Sequence, residues 1–203
     1  MIPTKGVDPA MATVPNLWEQ YVIDNLAKQG FEVYLPFKDK GIDLLAIRDW
    51  QRARPVRVQV KGSRVYPDSD SPFYPEGCWH RLNKEKLIRS RHAVDVFVFV
   101  WPSFRNAESG RPDMQYLIVP VGDLIDRLRH YQKGRWDMYI SLGQQGGKSR
   151  VADLRRSPGE RLATILLGDG TLADPQRDYT EYLNNWDSIA GLARGTARQL
   201  RAK

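Results

Sequence analysis

Two short segments of this chain, close to each other in sequence, carry a carboxylate, an amide and an ammonium group. Asp43 lies near the start of the apolar run 42–47, and Gln59 and Lys61 lie two positions apart in the alternating segment 56–61. Because side chains along a β-strand alternate between its two faces, Gln59 and Lys61 should share one face. If the two segments pair as a hairpin, Asp43 lies across from the end of the second strand and the three groups converge.

Such a group of side chains suits the hydrolysis of a phosphodiester bond. Mg²⁺ prefers oxygen ligands, keeps several waters, and commonly uses one or two protein carboxylates together with the substrate phosphate. Asp43 would supply negative charge, and the Gln59 amide oxygen and the Val60 carbonyl oxygen are further candidate ligands. Lys61 would orient or deprotonate the attacking water and offset charge on the phosphate. We therefore expect a Mg²⁺ site in which Mn²⁺ can substitute.

Glu19 is a fourth candidate, on a segment that precedes the strands. Apolar residues recur there at three- and four-residue spacing over 16–29, which predicts an amphipathic helix that ends at Gly30. From this helix Glu19 could project over the strand ends as a second carboxylate ligand. Alternatively, Asn16 and Glu19 have the spacing of a capping box, in which the glutamate bonds the N–H of the cap residue. The sequence leaves both roles open.

The motif resembles that of the PD-(D/E)xK nuclease superfamily, whose restriction-endonuclease-like fold also includes Holliday-junction resolvases. The resemblance covers about residues 14–120 and is closest to branches with a helical Glu, an isolated Asp and a Gln-x-Lys element. In those branches Glu19, Asp43, Gln59 and Lys61 match the active-site positions, which implies Mg²⁺-dependent cleavage of DNA. The sequence departs from the fuller signature twice, since no proline precedes Asp43 and glutamine replaces the acid before x-Lys.

These departures support a second hypothesis. A protein that kept this fold and lost catalysis would be a nucleic-acid-binding module, and the neutral Gln59 is consistent with such a loss. The two hypotheses predict different behaviour, because an active nuclease cuts DNA when Mg²⁺ is present whereas the module only binds it.

Charge and composition narrow the class of function. The 203 residues include 31 Lys and Arg against 24 Asp and Glu, and the formal charge of +7 favours a polyanionic partner such as DNA. A single cysteine, Cys78, cannot form an internal disulfide or a Cys-rich zinc site, which fits a reducing compartment. The longest apolar stretches are too short to cross a bilayer. We expect a soluble, cytoplasmic protein with no membrane partner.

Basic residues near the motif are candidates for contacts with phosphates. Lys38, Lys40 and Arg64 flank the proposed centre in sequence. Arg81 and Lys84 belong to a basic stretch that predicts a short helix over 82–91, and such residues commonly contact the backbone of nucleic acids.

Trp79 and His80, at the start of this stretch, could take part in the same contact. Equally, the stretch could be an ordinary solvated helix face. His80, His92 and His130 lack the close spacing of a metal-binding pair, so core or surface positions are expected for them. No Walker-type loop indicates the use of ATP.

The remaining pattern predicts how the motif is positioned. The fold class is α/β, a restriction-endonuclease-like αβββαβ core with a mixed β-sheet flanked by helices, plus C-terminal helical additions. A polar, proline-rich stretch over 62–79 is typical of a long surface loop. The expected strands are 31–35, 42–47, 56–61, a central strand at 94–101, 115–119 and an edge strand at 136–142, with a helix over 121–132.

The domain organisation predicted from these elements has three parts. Residues 1–12 form a flexible leader, residues 13–142 form the nuclease-like core, and residues 143–203 form a linker and a helical extension. Within the last part, 143–160 is expected to be a flexible connection, and 161–167 and 179–192 are expected to be helical. The extension would pack on the core or at a dimer interface, because a homodimer most easily cuts both strands of a duplex.

Overall fold

The computed structural model describes residues 14–36, 41–51, 53–68, 70–105, 111–132, 136–156 and 160–195. Its α-helices are α1 (Leu17–Lys28), α2 (Lys84–Ser90), α3 (Val121–Tyr131) and α4 (Asp187–Ala193). Its strands are β1 (Glu32–Tyr34), β2 (Leu44–Ile47), β3 (Val56–Gly62), β4 (Tyr66–Pro67), β5 (Glu76–Arg81), β6 (Val96–Ser103), β7 (Asp113–Pro120), β8 (Asp137–Gln145) and β9 (Lys148–Asp153).

The strands form two sheets. The first has the order β1-β2-β3-β6-β7, and it is mixed because β3 and β6 are parallel while its other pairs are antiparallel. The second has the order β4-β5-β8-β9 and is antiparallel throughout. The protein is therefore an α/β fold. None of the helices in the described residues is long and apolar enough to cross a membrane.

Alternation of side chains determines which face of β3 is buried. Val56, Val58 and Val60 are buried against α1, whereas the intervening Arg57, Gln59 and Lys61 are only partly buried. The neighbouring β6 is apolar on both faces, as expected for a strand covered on both sides. Its valines pack towards α1 and α4, and its aromatic residues pack towards α2, α3 and the second sheet.

The predicted order of one helix, three strands, a helix and a strand is present in the first half of the chain, with β4 and β5 inserted before α2. The prediction of a single loop over 62–79 is therefore wrong. The proline-rich residues before β5 conceal its alternation, in which Cys78 and His80 are buried and Trp79 and Arg81 are exposed. The strand predicted as central corresponds to β6. It lies inside the first sheet, but β3 is the middle strand of the five.

Three predictions for the second half of the chain need correction. The expected flexible connection over 143–160 instead contains the end of β8, a turn at Gly146 and Gly147, and β9. β8 is not an edge strand, because it pairs with β5 on one side and β9 on the other. The expected C-terminal helices are shorter, since the structure has 3₁₀ helices at Leu162–Thr164, Pro175–Arg177 and Thr180–Tyr182, and α4. The leader lies outside the described residues.

β5 crosses the ends of two strands of the first sheet. Its first residue, Glu76, accepts hydrogen bonds from Ser103 Oγ at 2.7 Å and from the Phe104 N–H at 3.1 Å, at and just beyond the end of β6. Further along, the carbonyl of Trp79 accepts a hydrogen bond from Ser63 Oγ at 3.1 Å, just beyond the end of β3. The second sheet therefore lies at the same end of the first sheet as the residues that follow Lys61.

Asp95 stabilises the opposite end of the β3–β6 pair. Its carboxylate accepts hydrogen bonds from the Arg57 N–H at 2.9 Å, from Arg57 Nε at 3.0 Å and from Arg54 Nη1 at 3.0 Å. Burial alone would raise the pKa of Asp95, but the hydrogen bonds from Arg57, and then those from Arg54, outweigh burial and lower it. The charged form of Asp95 is therefore favoured in the folded protein.

We predict that Asp95→Asn lowers the free energy of unfolding by about 1–3 kcal/mol near neutral pH, because it removes charge-assisted hydrogen bonds to two partly exposed arginines. A carboxyl with a lowered folded-state pKa contributes stability above its unfolded-state pKa and loses it as the pH falls through the folded-state value. The difference between wild type and variant should therefore shrink below about pH 4. Urea unfolding at about pH 7 and pH 3 measures both effects.

Asp113→Asn is the matched control, since Asp113 is exposed on β7. It should change stability by less than about 0.5 kcal/mol at either pH. Equal stability losses for the Asp95 and Asp113 variants would contradict this account of the β3–β6 pair.

Candidate active site at the ends of β2 and β3

Hydrogen bonds to β3 hold Asp43 in place. Its backbone N–H, one residue before β2, donates at 2.9 Å to the carbonyl of Val58, which is the register partner of Leu44. Its Oδ2 atom accepts hydrogen bonds from the Val60 N–H at 2.7 Å and from Gln59 Nε2. The carboxylate is therefore fixed beside β3 by both backbone and side-chain donors.

The backbone of Val60 faces the same place. In an antiparallel pair the N–H and C=O of one residue point to the same side, and residues two apart point alike. The Val58 carbonyl faces β2, and the Val60 N–H bonds the Asp43 carboxylate. The Val60 carbonyl must then face the Asp43 side of β3 as well, where the sequence analysis expected an oxygen ligand.

Gly41 forms a bend beside the amide of Gln59. The glycine has a φ of +82°, a backbone conformation that residues with a side chain rarely adopt, and it forms the bend that leads into Asp43. A Cβ at this position would lie 3.9 Å from Gln59 Oε1. Gln59 thus presents Nε2 to Asp43 and Oε1 towards the bend, and in this arrangement its amide acts on Asp43 as a hydrogen-bond donor.

Lys61 lies on the same face of β3 as Gln59 and beside a buried histidine. Lys61 is paired in register with Phe99 on the parallel neighbour β6, so the two side chains are adjacent on one face. The His80 ring contacts the Phe99 ring edge to face, with 4.9 Å between the ring centroids. β5 therefore brings His80 next to Lys61.

This histidine is neutral in the folded protein. Burial, and secondly the positive charge of Lys61, lower the pKa of His80 to about 3. Its Nε2 lies 3.5 Å from Cys78 Sγ, and burial raises the pKa of the Cys78 thiol well above its ordinary value, with a smaller contribution from Asp153. Both side chains are thus uncharged near neutral pH, and neither adds a charge beside Lys61.

Glu19 forms the capping box that the sequence offered as its alternative role. Glu19 Oε2 accepts a hydrogen bond from the Asn16 N–H at 3.0 Å, and Asn16 Oδ1 accepts one from the Glu19 N–H at 3.1 Å. The first turn of α1 nevertheless lies at the Lys61 end of β3, because the Trp18 ring occupies the space where a Cβ on Gly62 would be. A catalytic or metal-binding role for Glu19 stays a prediction.

The donor set at this site has the chemistry that a hard cation requires. Asp43 supplies one carboxylate, Gln59 an amide oxygen and Val60 a carbonyl oxygen, and Mg²⁺ is commonly bound through one or two carboxylates with water and phosphate as its other ligands. In the part of the chain that the structure describes, no three His, Cys, Asp or Glu residues group together as metal ligands. A divalent cation here would therefore have Asp43 as its carboxylate ligand and would need a bound phosphate for further ligands, and the Mg²⁺ site stays a prediction.

Of the residues predicted to contact phosphates, Arg64, Arg81 and Lys84 lie in the described part of the chain. Arg64 is exposed shortly after β3, and Arg81 is exposed at the end of β5 with its guanidinium 5.1 Å from the centroid of the Trp79 ring. Lys84 begins α2, with Nζ 5.3 Å from the centroid of the Trp136 ring. Lys38 and Lys40 lie outside the described residues.

The sequence pattern does not predict His80 beside Lys61. The composition of 62–79 predicts a loop, which hides the alternation of buried Cys78 and His80 in β5. That alternation is the local signal that His80 is buried. The contact of His80 with Phe99 joins residues distant in the chain, and no local pattern predicts it.

Comparison of the chain with protein-family models, with curated proteins and with solved structures found no significant match in any of the three. The resemblance to PD-(D/E)xK nucleases therefore rests on the motif residues alone.

We predict that His80 stays neutral from about pH 8 down to about pH 4, whereas an unfolded histidine gains a proton near pH 6.5. The unfolded state takes up this proton and the folded state does not. The contribution of neutral His80 to the free energy of unfolding is therefore fully present above about pH 6.5 and is lost as the pH falls towards about 3. NMR of the imidazole resonances measures the protonation, with exposed His92 and His130 as comparison signals in the same spectra.

Lys61→Met should raise the pKa of His80, because it removes a neighbouring positive charge while burial remains. Lys86→Met, on the exposed face of α2, should leave it unchanged. The same pKa of His80 in both variants would show that Lys61 and His80 are not neighbours.

Proposed function

We propose that this protein is a Mg²⁺-dependent endonuclease that hydrolyses DNA phosphodiester bonds, with a restriction-endonuclease-like core. The observation that carries the proposal is the attachment of the Asp43 carboxylate to the Gln59 amide and the Val60 N–H, with Lys61 on the same face of β3. A carboxylate, an amide, a backbone carbonyl and an ammonium group thus belong to neighbouring residues at one strand end. This combination suits phosphodiester hydrolysis, in which positioning and charge stabilisation supply most of the catalysis.

Each residue has a distinct part in the proposed reaction. Asp43, the Val60 carbonyl and Gln59 Oε1 would hold Mg²⁺, which when bound supplies positive charge against the negative charge that develops on the phosphate. Asp43 is kept in position by the Val60 N–H before any substrate arrives. Lys61 orients the attacking water and a phosphate oxygen, and the neutral His80 beside it adds no charge of its own.

A second candidate function is a nucleic-acid-binding module of the same fold without catalysis. The specific observation in its favour is that Gln59 donates Nε2 to Asp43, where a second carboxylate would bring charge for the metal. The hydrogen bonds between Glu19 and Asn16 also favour the binding module, because they engage the Glu19 carboxylate in the helix cap. Such a module would retard DNA in a gel shift but leave it uncut with Mg²⁺ or Mn²⁺.

We predict that Asp43→Ala and Lys61→Ala each reduce Mg²⁺-dependent cleavage by at least about 100-fold, because a single group that stabilises charge at the reacting centre commonly contributes that much. Lys61→Ala should weaken DNA binding far less than it slows cleavage, since it removes one phosphate contact among several. Cleavage of linear, supercoiled and branched DNA, together with gel shifts in EDTA, measures the two quantities separately.

Asp24→Ala and Lys86→Ala are controls of matched residue type at exposed positions of α1 and α2. Both should cleave at the wild-type rate. Full activity in the Asp43 or Lys61 variant, with circular dichroism confirming the fold, would remove this site from the reaction. A wild-type protein that binds all three DNAs and cuts none would favour the binding module.

We predict that Gln59→Glu strengthens the binding of divalent cations and lowers stability in their absence. The change replaces the donor that Asp43 now accepts with a second carboxylate, so two like charges face each other until a cation neutralises them. Isothermal titration calorimetry with Mn²⁺ should show higher affinity than wild type. Thermal unfolding should show a lower Tm in EDTA and a larger rise on adding Mn²⁺.

Gln51→Glu is the matched control, since Gln51 is exposed in the turn after β2. It should change neither the affinity for Mn²⁺ nor the response of Tm to the metal. If Gln59→Glu behaves like this control, Gln59 does not lie in a cation site.

A further inference from the structure

The outer face of β5 carries an exposed tryptophan with an arginine stacked on it. Cys78 and His80 point into the core, so the alternating Trp79 and Arg81 point outward. Trp79 is 44% exposed, and the Arg81 guanidinium lies 5.1 Å from its ring centroid. An exposed indole ring offers a flat π-face to a ligand, and the guanidinium over the ring adds a positive charge beside it.

Two tyrosines continue this aromatic surface. Tyr66 on β4 pairs with Gly77 on β5, so it shares the outer face, and it is 48% exposed. Tyr139 on β8 pairs with Trp79, and its ring covers Gly77, where a Cβ would lie 2.9 Å from the ring atoms. The missing side chain at Gly77 therefore lets the Tyr139 ring lie across β5 between Tyr66 and Trp79.

This surface adjoins the candidate active site. The Trp79 carbonyl accepts a hydrogen bond from Ser63, which is only two residues beyond Lys61. The inner neighbour of Trp79 on β5, His80, contacts the Phe99 ring beside Lys61. A single short strand thus presents one residue to the candidate site and the next to solvent.

The charges around the aromatic surface of β5 favour a polyanion on the side of Arg81. Arg64, Arg81 and Lys84 are exposed near β5. On the Tyr139 side, the acidic Asp68 and Asp70 lie near the ring, and Asp70 pairs with Arg156 at 3.1 Å. Asp137, the register partner of Arg81, is buried, and Arg155 at 3.6 Å offsets its charge. A phosphate backbone would accordingly follow the Arg81 side, towards Lys61.

We propose that Trp79 and Arg81 form a stacking site for an unpaired nucleobase, and that the substrate class is nucleic acid with a single-stranded segment next to the scissile phosphate. Bases inside a duplex are stacked and paired already, whereas an unpaired base offers a free π-face to an aromatic ring. This inference rests on the proposed function, because it specifies the substrate of the same site. It adds a binding element on the second sheet, outside the motif residues.

The direct test is fluorescence anisotropy in EDTA with a fluorescein-labelled oligothymidylate of about 15 nucleotides, close to the site size of known single-strand binders. Trp79→Ala should weaken binding roughly 5- to 150-fold, the range that loss of one base–aromatic stack produces, and Trp79→Phe should restore most of it. Affinity for a blunt duplex of the same length should be the same in wild type and Trp79→Ala.

Trp50→Ala is the matched control, because Trp50 is even more exposed at 61% and lies in the turn between β2 and β3, against Tyr34. It should leave the affinity for oligothymidylate unchanged. Equal effects of the Trp79 and Trp50 variants, or an equal loss of affinity for duplex in Trp79→Ala, would overturn the stacking site.

A cleavage assay with Mg²⁺ separates this inference from the proposed function. If the binding difference is seen but wild-type protein cuts no DNA, the stacking site stands and the nuclease proposal fails. If wild-type protein cuts DNA and Trp79→Ala binds and cuts single-stranded DNA as wild type does, the nuclease proposal stands and the stacking site fails.

Discussion

The hydrogen bond from the Val60 N–H to the Asp43 carboxylate is the interaction on which the candidate site depends. It places a side chain from the start of β2 where the next partner on a longer strand would have been, so a carboxylate replaces a backbone carbonyl in the pairing pattern. This exchange brings negative charge to the strand end without leaving a backbone donor unsatisfied. Gln59, Val60 and Asp43 come together because the carboxylate takes the place of that backbone carbonyl.

Burial of the sheet on both faces explains why its charged groups lie at the strand ends. β6 is covered by apolar residues on each side, and β3 is covered on its valine face, so charged groups remain only where the strands end or where a partner neutralises them. At one end, Arg54 and Arg57 neutralise the charge of Asp95. At the other end, Asp43 and Lys61 stay partly accessible, as the proposed reaction requires.

The local part of this arrangement was predictable from sequence, because two-residue alternation in 56–61 specifies which side chains of a strand share a face, and the Asn16–Glu19 spacing specifies a helix cap. The second sheet was not predictable in this way. β5 begins in a proline-rich stretch, and the Gly-Gly turn between β8 and β9 has the composition of a linker although it closes a hairpin. The position of His80 depends on pairing between distant segments, which periodicity within one segment does not encode.

The ion pairs of Asp95 also act on the site at the far end of β3. They tie Arg57, at the beginning of this strand, to the start of β6, and so they set the alignment of the two parallel strands along their whole length. A shift of one position between these strands would exchange the two faces of β3. Lys61 would then point towards α1, and Val60 would take its place beside Phe99. The ion pairs of Asp95 thus add to the alternation of the valines in fixing the face of the sheet on which Lys61 lies.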